Sequence, residues 1–267
     1  MLDCLVNGEI SAHVSAGDRG LHYGDGVFET MMVAHGLPRF WQLHMDRLAT
    51  GCATLGLQQT PQNVLLREVQ TVSAGHQTCV VKIIITRGEA ARGYAPAAAT
   101  GTCRVVSAYP VPADFGSDVG QGIRARICDL RLGIQPALAG IKHLNRLEQV
   151  LARAEWTDPM VQEGILLDSE DQVISGISGN IFLVSGERLL TPRMDRCGVR
   201  GVVRAAILLA FKPRCEQRRI TLDMLSEADE VFVCNAVRGI LPISRIGHWE
   251  YGAGSVTREI QNWMQQQ

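Results

Sequence analysis

The residue best placed to do chemistry in this chain is Lys142, which stands at the head of a segment with helical spacing. Leu144, Leu147 and Leu151 recur at helical intervals with Val150 beside them, and this stripe predicts an amphipathic helix packed through its apolar face. A lysine in the turn before such a helix has a fixed backbone and an amine that can reach into a site. A lysine with a lowered pKa is the usual side chain for Schiff-base chemistry. From this segment alone, an ordinary solvated lysine is the alternative.

The other reactive side chains do not suggest a metal or disulfide site. The eight cysteines are spread singly without a C-x-x-C pair, which is typical of reduced thiols in apolar surroundings. The seven histidines lack H-x-x-x-H spacing, so we expect no metal centre. The sequence also lacks a G-x-S-x-G elbow, a Walker loop and a G-x-G-x-x-G turn after a strand, which argues against most common enzyme classes.

Length and composition agree with a soluble enzyme, and we expect it to stay in the cytoplasm. The 267 residues can bury a large core and fill two domains. The formal net charge is −1 with both signs interspersed, so we expect neither a nucleic-acid nor a membrane partner. The N-terminus has no basic stretch followed by an apolar run, and no segment approaches the roughly 18 apolar residues of a membrane span.

The elements that must position Lys142 begin with a predicted α+β domain, residues 1–112. The pair Asn7-Gly8 indicates a hairpin, because both residues accept positive φ at low cost. Periodicity and β-branched runs predict strands near 28–33, 79–86 and 102–108, and helices near 41–55 and 61–72.

A linker rich in proline, glycine and acidic residues, around Tyr109–Gly116, separates this domain from the rest. We place the linker at 113–120 and a larger C-terminal α/β domain at 121–267. That domain is predicted to alternate strands near 123–128, 164–168, 180–184 and 230–234 with helices near 143–156, 202–211 and 255–264.

Three segments together carry a family resemblance: Asp18–Leu21, Tyr23–Thr30 and Ile141–Leu151. They resemble the fold-type-IV pyridoxal-phosphate enzymes, the group of the branched-chain aminotransferases. Within that group, the stretch Lys-His-Leu-Asn-Arg-Leu-Glu-Gln is similar to the aminodeoxychorismate lyases of folate biosynthesis, which release 4-aminobenzoate and pyruvate. The similarity extends over nearly the whole chain.

The resemblance implies a two-domain architecture, a homodimer and pyridoxal 5'-phosphate as cofactor, bound mainly by the C-terminal domain. It implies that Lys142 binds the cofactor covalently and then removes a proton from the substrate. It also implies that Arg47 pairs with the cofactor phosphate, since a guanidinium can bind phosphate through two parallel hydrogen bonds. Arg47 could instead be a surface arginine that pairs with Asp46 or Asp18.

Two further phosphate contacts follow from the resemblance. The glycine-rich turn 198–201 enters a helix, and the matching family members use the backbone N–H groups of Val202 and Val203. The position of Asn235 lies close to the phosphate in the family. The alternatives are a plain loop-to-helix entry and an asparagine that caps a turn.

The N-terminal domain would supply the substrate end of the site. Arg92 and Tyr94 lie in a loop after a strand, where they could bind a carboxylate of 4-amino-4-deoxychorismate. Thr30 matches a family hydroxyl near the reacting part of the substrate. A solvated loop arginine is the alternative for Arg92.

Ser175 departs from the family pattern. Family members carry a glutamate at this position, where it pairs with the pyridine nitrogen of the cofactor, and no acidic residue lies between Gln172 and Asn180. A hydroxyl cannot hold that nitrogen in its charged form as a carboxylate does, so the electron sink would be weaker. This favours a lyase over a transaminase, because the formation of an aromatic ring supplies much of the driving force for the lyase reaction. Alternatively, the carboxylate comes from elsewhere, or the enzyme is impaired.

The resemblance therefore implies a lyase that acts on 4-amino-4-deoxychorismate. The competing hypotheses are a fold-type-IV aminotransferase for branched-chain or D-amino acids, and a cofactor-binding homologue without activity. The proton donor to the leaving group is left open between Thr30, a water and Lys142.

Overall fold

The protein is described by a computed structural model that covers residues 1, 3–96, 101–112, 122–252 and 254–267. Its contacts separate two compact units, one of Met1–Ala113 with Ile141–Asn145 and one of Asp114–Gly140 with Arg146–Gln267. The short segment that carries Lys142 thus belongs to the first unit. The predicted linker at 113–120 lies outside the described residues, and the domain limits drawn from the sequence stay a prediction.

The described residues of the first unit form six strands and three helices. The strands are β1 (Cys4–Val6), β2 (Glu9–Ile10), β3 (Gly26–Ala34), β4 (Leu37–Pro38), β5 (Thr78–Thr86) and β6 (Cys103–Tyr109). The helices are α1 (Arg19–Tyr23), α2 (Trp41–Leu55) and α3 (Gln62–Ser73). The strands form one sheet in the order β2-β1-β6-β5-β3-β4, with every neighbouring pair antiparallel. Asn7 and Gly8 have φ of 54° and 91°, which confirms the predicted hairpin.

The two faces of this sheet differ in character. Val27, Met31 and Val33 alternate along β3 and belong to the core formed with α2 and α3. Phe28 and Thr30 lie between them in sequence, so they face the opposite side, where they are only half-buried. The alternation of β3 therefore gives one packed face and one accessible face.

In the second unit, the residues that the structure describes form nine strands and four helices. The strands are β7 (Ile123–Leu132), β8 (Glu163–Asp168), β9 (Val173–Gly176), β10 (Asn180–Ser185), β11 (Arg188–Pro192), β12 (Cys215–Arg218), β13 (Glu230–Asn235), β14 (Gly239–Ile246) and β15 (Trp249–Glu250). The helices are α4 (Leu147–Arg153), α5 (Val202–Ala210), α6 (Leu222–Ser226) and α7 (Ser255–Gln265), with a 3₁₀ turn at Lys212–Arg214. The sheet is mixed, in the order β12-β11-β10-β13-β14-β7-β8-β9, and β15 pairs with β14. Its central strands are apolar on both faces, as expected of strands with both faces covered.

The helix after Lys142 differs from its prediction. It spans Leu147–Arg153 and not 143–156. The predicted apolar stripe is wrong as a packing surface, because Leu147, Val150 and Leu151 are 74%, 61% and 60% exposed. The residues before the helix are extended, and their pairing with the sheet of the first unit takes the place of a helical turn.

No helix in the described part of the chain is long and apolar enough to cross a membrane. The same residues contain no group of three or more histidine, cysteine or acidic side chains that could hold a metal ion. All eight cysteines are free thiols. Burial raises the pKa of the Cys52 thiol to about 11 and that of Cys234 to about 12, so both are inert at neutral pH.

Candidate active site

Lys142 is positioned by strand-like pairing with β3. The Phe28 N–H donates to the Lys142 carbonyl at 2.9 Å, and the Leu144 N–H donates to the Gly26 carbonyl at 2.9 Å. This ladder fixes the backbone, and the Lys142 ammonium lies 4.3 Å from the centroid of the Phe28 ring. Contact with the face of an aromatic ring is a favourable position for a partly desolvated cation. The side chain is half-buried.

Thr30 and a second lysine, Lys82, share the face of Phe28. Thr30 lies directly opposite Lys82 in the β3–β5 pairing, and cross-strand partners project to the same side of a sheet. The Lys82 ammonium lies 5.0 Å from the centroid of the same Phe28 ring. Burial lowers the pKa of Lys82. Lys82 is not among the site residues predicted from the sequence, although its position as the one charged residue within an apolar strand is a usable signal.

Arg47 lies on α2, where it binds Glu29 from the core side of β3. Its Nε donates to Glu29 Oε1 at 2.8 Å and its Nη2 donates to Oε2 at 2.5 Å. Glu29 is not one of the partners considered from the sequence, which are Asp46 and Asp18. The proposed contact of Arg47 with a phosphate stays a prediction.

His44 completes this buried cluster, with Nδ1 at 2.6 Å from Glu29 Oε2. Burial raises the pKa of Glu29, but the charge and hydrogen bonds of Arg47 and the hydrogen bond of His44 outweigh it and lower the pKa to about 2. Burial also lowers the pKa of His44. The Nε2 atom of His44 is buried and has no hydrogen-bond partner within the described ranges.

The loop that carries Arg92 and Tyr94 is held against α1. Arg19 Nη1 donates to the Gly93 carbonyl at 2.8 Å, and the Gly93 N–H donates to the Tyr23 hydroxyl at 3.3 Å. The Tyr94 ring lies 5.6 Å from that of Tyr23, yet its side chain is 88% exposed. These contacts connect the loop to α1 and do not test the substrate role of Arg92 and Tyr94, which stays a prediction.

In the second unit, Ser175 lies buried in β9 opposite Leu166 of β8. Glu163, a buried carboxylate beside this strand, is not among the site residues predicted from the sequence. Glu163 Oε1 accepts hydrogen bonds from the N–H groups of Gly164 and Ile177 at 3.0 and 2.9 Å.

Glu163 Oε2 accepts a further hydrogen bond from the Ser178 hydroxyl at 2.6 Å. Burial raises the pKa of Glu163 despite these hydrogen bonds. Glu163 therefore holds the turn that follows Ser175. An acidic residue at the start of an apolar strand is the sequence signal that points to it.

The turn before α5 is organised by Asn180. Its Nδ2 donates to the Val199 carbonyl at 2.9 Å, and its Oδ1 accepts from the Gly201 N–H at 2.9 Å. A Cβ at Gly201 would lie 2.0 Å from that Oδ1, so the turn requires glycine. The first-turn N–H groups of α5, including those of Val202 and Val203, lack an intrahelical acceptor. This donor set fits a phosphate group.

Asn235 caps a turn. Its Oδ1 accepts hydrogen bonds from the N–H groups of Val237 and Arg238 at 3.0 and 2.7 Å. A turn-capping asparagine is the alternative considered from the sequence. Because Oδ1 is used by the turn, a phosphate would contact the NH₂ end of the side-chain amide. The role of Asn235 toward a phosphate stays a prediction.

Comparison with known proteins places the chain in a family. The family model of amino-transferase class IV matches residues 26–246. Aminodeoxychorismate lyase of Vibrio harveyi is 34% identical over 263 residues, which cover 96% of this chain and 97% of that protein.

Solved structures share the fold. The crystal structure of 4-amino-4-deoxychorismate lyase from Pseudomonas aeruginosa has a TM-score of 0.94 and 41% identity, and the match covers 98% of each chain. Branched-chain amino acid aminotransferase of Escherichia coli has a TM-score of 0.86 and 26% identity, over 97% of this chain and 92% of that chain. The predicted fold class, α+β with the fold-type-IV architecture, is confirmed. The chain belongs to the class IV aminotransferase family.

Proposed function

We propose that this protein is a 4-amino-4-deoxychorismate lyase, which forms 4-aminobenzoate and pyruvate in folate biosynthesis. The observation that carries the proposal is the position of the Lys142 amine, fixed by β3 and placed against Phe28, in a chain that is 41% identical to a lyase of solved structure. The cytoplasmic location expected from the sequence is part of this proposal.

The residues present fit pyridoxal 5'-phosphate as cofactor. When bound, this group withdraws electrons from the carbon that carries the substrate nitrogen and so makes its C–H bond acidic. In the first unit, Lys142 is the proposed covalent attachment point, and Arg47 is a proposed phosphate ligand. In the second unit, the N–H groups of Val202 and Val203 and the side chain of Asn235 are the proposed phosphate ligands.

The side chains of the first unit then have distinct proposed roles. The released amine of Lys142 takes the proton from the ring carbon that bears nitrogen. Thr30 offers a hydroxyl on the same face of β3. Arg92 and Tyr94 bind a substrate carboxylate.

Ser175 supports a lyase over an aminotransferase. A serine hydroxyl cannot stabilise a protonated pyridine nitrogen as a carboxylate does, and transamination depends on that electron sink more than an aromatising elimination does. Glu163 is a buried carboxylate next to this strand, but its oxygens are engaged by the turn at Ile177 and Ser178. The Glu163 carboxylate therefore stabilises that turn.

A homodimer is the expected assembly. Three large apolar side chains of α4, those of Leu147, Val150 and Leu151, are exposed in the single chain, and a second copy of the chain is their proposed cover. Light scattering is expected to give the mass of a dimer. A Leu147→Glu, Leu151→Glu variant is expected to dissociate, while Leu209→Glu on α5 serves as control. A monomeric parent chain would contradict this proposal.

The function is tested by incubating the protein, reconstituted with pyridoxal phosphate, with 4-amino-4-deoxychorismate. We expect 4-aminobenzoate and pyruvate to appear in equal amounts, without added amino acid or keto acid. Amino-group transfer between branched-chain or D-amino acids and 2-oxoglutarate, in the absence of aromatic product, would instead identify an aminotransferase. Failure of both reactions in a folded protein that binds the cofactor would identify an inactive homologue.

A further inference from the structure

Two of the three lysines in this chain lie against one aromatic ring. The sequence contains 23 arginines but only Lys82, Lys142 and Lys212. The ammonium groups of Lys82 and Lys142 lie 5.0 and 4.3 Å from the centroid of Phe28. They are therefore no further apart than the sum of these two distances.

A lysine at position 82 is informative because nearly all other basic residues of the chain are arginines. An arginine would supply positive charge and would bind a carboxylate at least as well, through its planar pair of donors. What arginine cannot do is release a proton, since its pKa exceeds 12. A lysine on the face that carries Lys142 therefore permits a proton transfer that an arginine there would not.

The surroundings of Lys82 suit a proton donor. Its cross-strand neighbours on the same face are the hydroxyl residues Thr30 on β3 and Ser107 on β6. No carboxylate forms a salt bridge with Lys82 within the described part of the chain. The titratable groups on this face in the described part of the first unit include Lys142, Tyr109 diagonally across β6, and Cys4, which lies opposite Ser107. They also include Cys103, opposite Thr86, and the exposed Glu9 on β2, opposite Val6.

Two further properties agree with this role. Burial lowers the pKa of Lys82, which makes its ammonium a stronger acid. The side chain is only half-buried, so a lost proton can be replaced from solvent.

We propose that Lys82 is the general acid of the elimination and protonates the oxygen of the leaving enolpyruvyl group. The proposal rests on the proposed lyase function and names the proton donor that the sequence left open. Lys142 removes the proton from the ring carbon that bears nitrogen, and the electrons of that C–H bond replace those of the breaking C–O bond. The C–O electron pair goes to the oxygen, which takes a proton from the Lys82 ammonium. Enolpyruvate leaves and becomes pyruvate, and the neutral Lys82 amine regains its proton from solvent.

The test compares Lys82→Arg with Lys82→Gln, with Lys212→Arg as the matched control on an exposed lysine. Lys82→Arg keeps the charge and loses the transferable proton. General acid catalysis typically contributes about 10²- to 10⁴-fold. We therefore expect kcat to fall at least about 100-fold in both Lys82 variants, with Lys212→Arg unchanged. A Lys82→Arg enzyme with the parental kcat would overturn the proposal, since charge alone, toward a carboxylate or toward Lys142, would then suffice.

Chemical rescue separates a lost proton donor from a damaged site. In Lys82→Ala, added methylammonium is expected to restore turnover in a concentration-dependent manner, and guanidinium is expected not to. Rescue by guanidinium to the same extent would contradict the proposal. A parent protein that releases no 4-aminobenzoate would instead refute the lyase function itself.

A titration independent of turnover uses the small number of lysines. With lysine labelled at its ε-carbon with ¹³C, the cofactor-free chain gives three side-chain signals, which Lys82→Arg and Lys212→Arg assign. We expect the Lys82 signal to titrate at lower pH than the side chain of free lysine. Titration of Lys82 at or above the pH of free lysine would contradict the role of an acid strengthened by its site.

Discussion

Arg47 donates two hydrogen bonds to the carboxylate of Glu29, from Nε to Oε1 at 2.8 Å and from Nη2 to Oε2 at 2.5 Å. This paired contact orients the guanidinium before any phosphate arrives. It gives Arg47 a structural function toward a buried carboxylate, beside the proposed function toward the cofactor. Substitutions at either residue separate the two.

Replacing Arg47 by alanine is expected to weaken cofactor binding about tenfold to a hundredfold, since a charge-assisted hydrogen bond contributes about 1.5–3 kcal/mol. Titration of the cofactor-free protein with pyridoxal phosphate measures the loss. Arg67→Ala, on the exposed side of α3, is the control. An unchanged affinity in folded Arg47→Ala would show that the guanidinium serves Glu29 alone.

Replacing Glu29 by glutamine is expected to destabilise the fold by about 3–5 kcal/mol at pH 7, because it leaves a buried guanidinium without its countercharge. The pKa of Glu29 is lowered from 4.5 to about 2, so its stabilising effect is complete above pH 4.5 and is lost as pH falls toward 2. Urea unfolding should show the difference between variant and parent shrinking below pH 4.5. A difference that stays constant down to pH 3 would contradict this account.

Ser175→Glu is expected to raise transamination of ordinary amino acids relative to lyase turnover, because a carboxylate would hold the pyridine nitrogen in its charged form. Ser175 is buried in β9, so the longer side chain is expected to cost about 1–3 kcal/mol of stability. Ser175→Gln matches the size without the charge and should leave the ratio unchanged. The assignment of position 175 fails if a well-folded Ser175→Glu protein keeps the parental ratio of the two activities.

Glu163→Ala is expected to destabilise the second unit by about 1–3 kcal/mol for each donor left unsatisfied, whereas Glu163→Gln keeps an acceptor for Gly164 and Ile177. Because burial raises the pKa of Glu163, its contribution to stability is complete below pH 4.5 and is lost as pH rises through the raised value. The stability of Glu163→Gln relative to the parent should therefore increase with pH. Denaturant unfolding at several pH values checks this, and a pH-independent difference would contradict it.

Much of the first unit can be predicted because its signals are local. The helix predicted at 41–55 is found at Trp41–Leu55, and the alternation of β3 tells which of its side chains enter the core. The hairpin at Asn7-Gly8 follows from two residues that accept positive φ.

The failures have a common physical cause, which is pairing with distant segments. The residues around Lys142 carry a helical pattern, but hydrogen bonds to β3 keep them extended, and the apolar side chains of α4 remain exposed. Strands β9 and β14 are missed because serine, glycine and proline interrupt them, although their neighbours in the sheet stabilise them. Likewise, only the β3–β5 register shows that Lys82 lies on the same face of the sheet as Thr30 and Phe28.

Lys142 as the reactive amine is the central claim, and borohydride reduction of the protein bound to pyridoxal phosphate tests it most directly. Reduction fixes the cofactor to whichever amine holds it, and peptide mass mapping then distinguishes Lys82, Lys142 and Lys212. We expect the added mass on the peptide with Lys142 alone, loss of 4-aminobenzoate release on reduction, and neither label nor turnover in a folded Lys142→Ala variant. A label on Lys82 or Lys212, no label at all, or a Lys142→Ala protein with the parental rate would contradict the account.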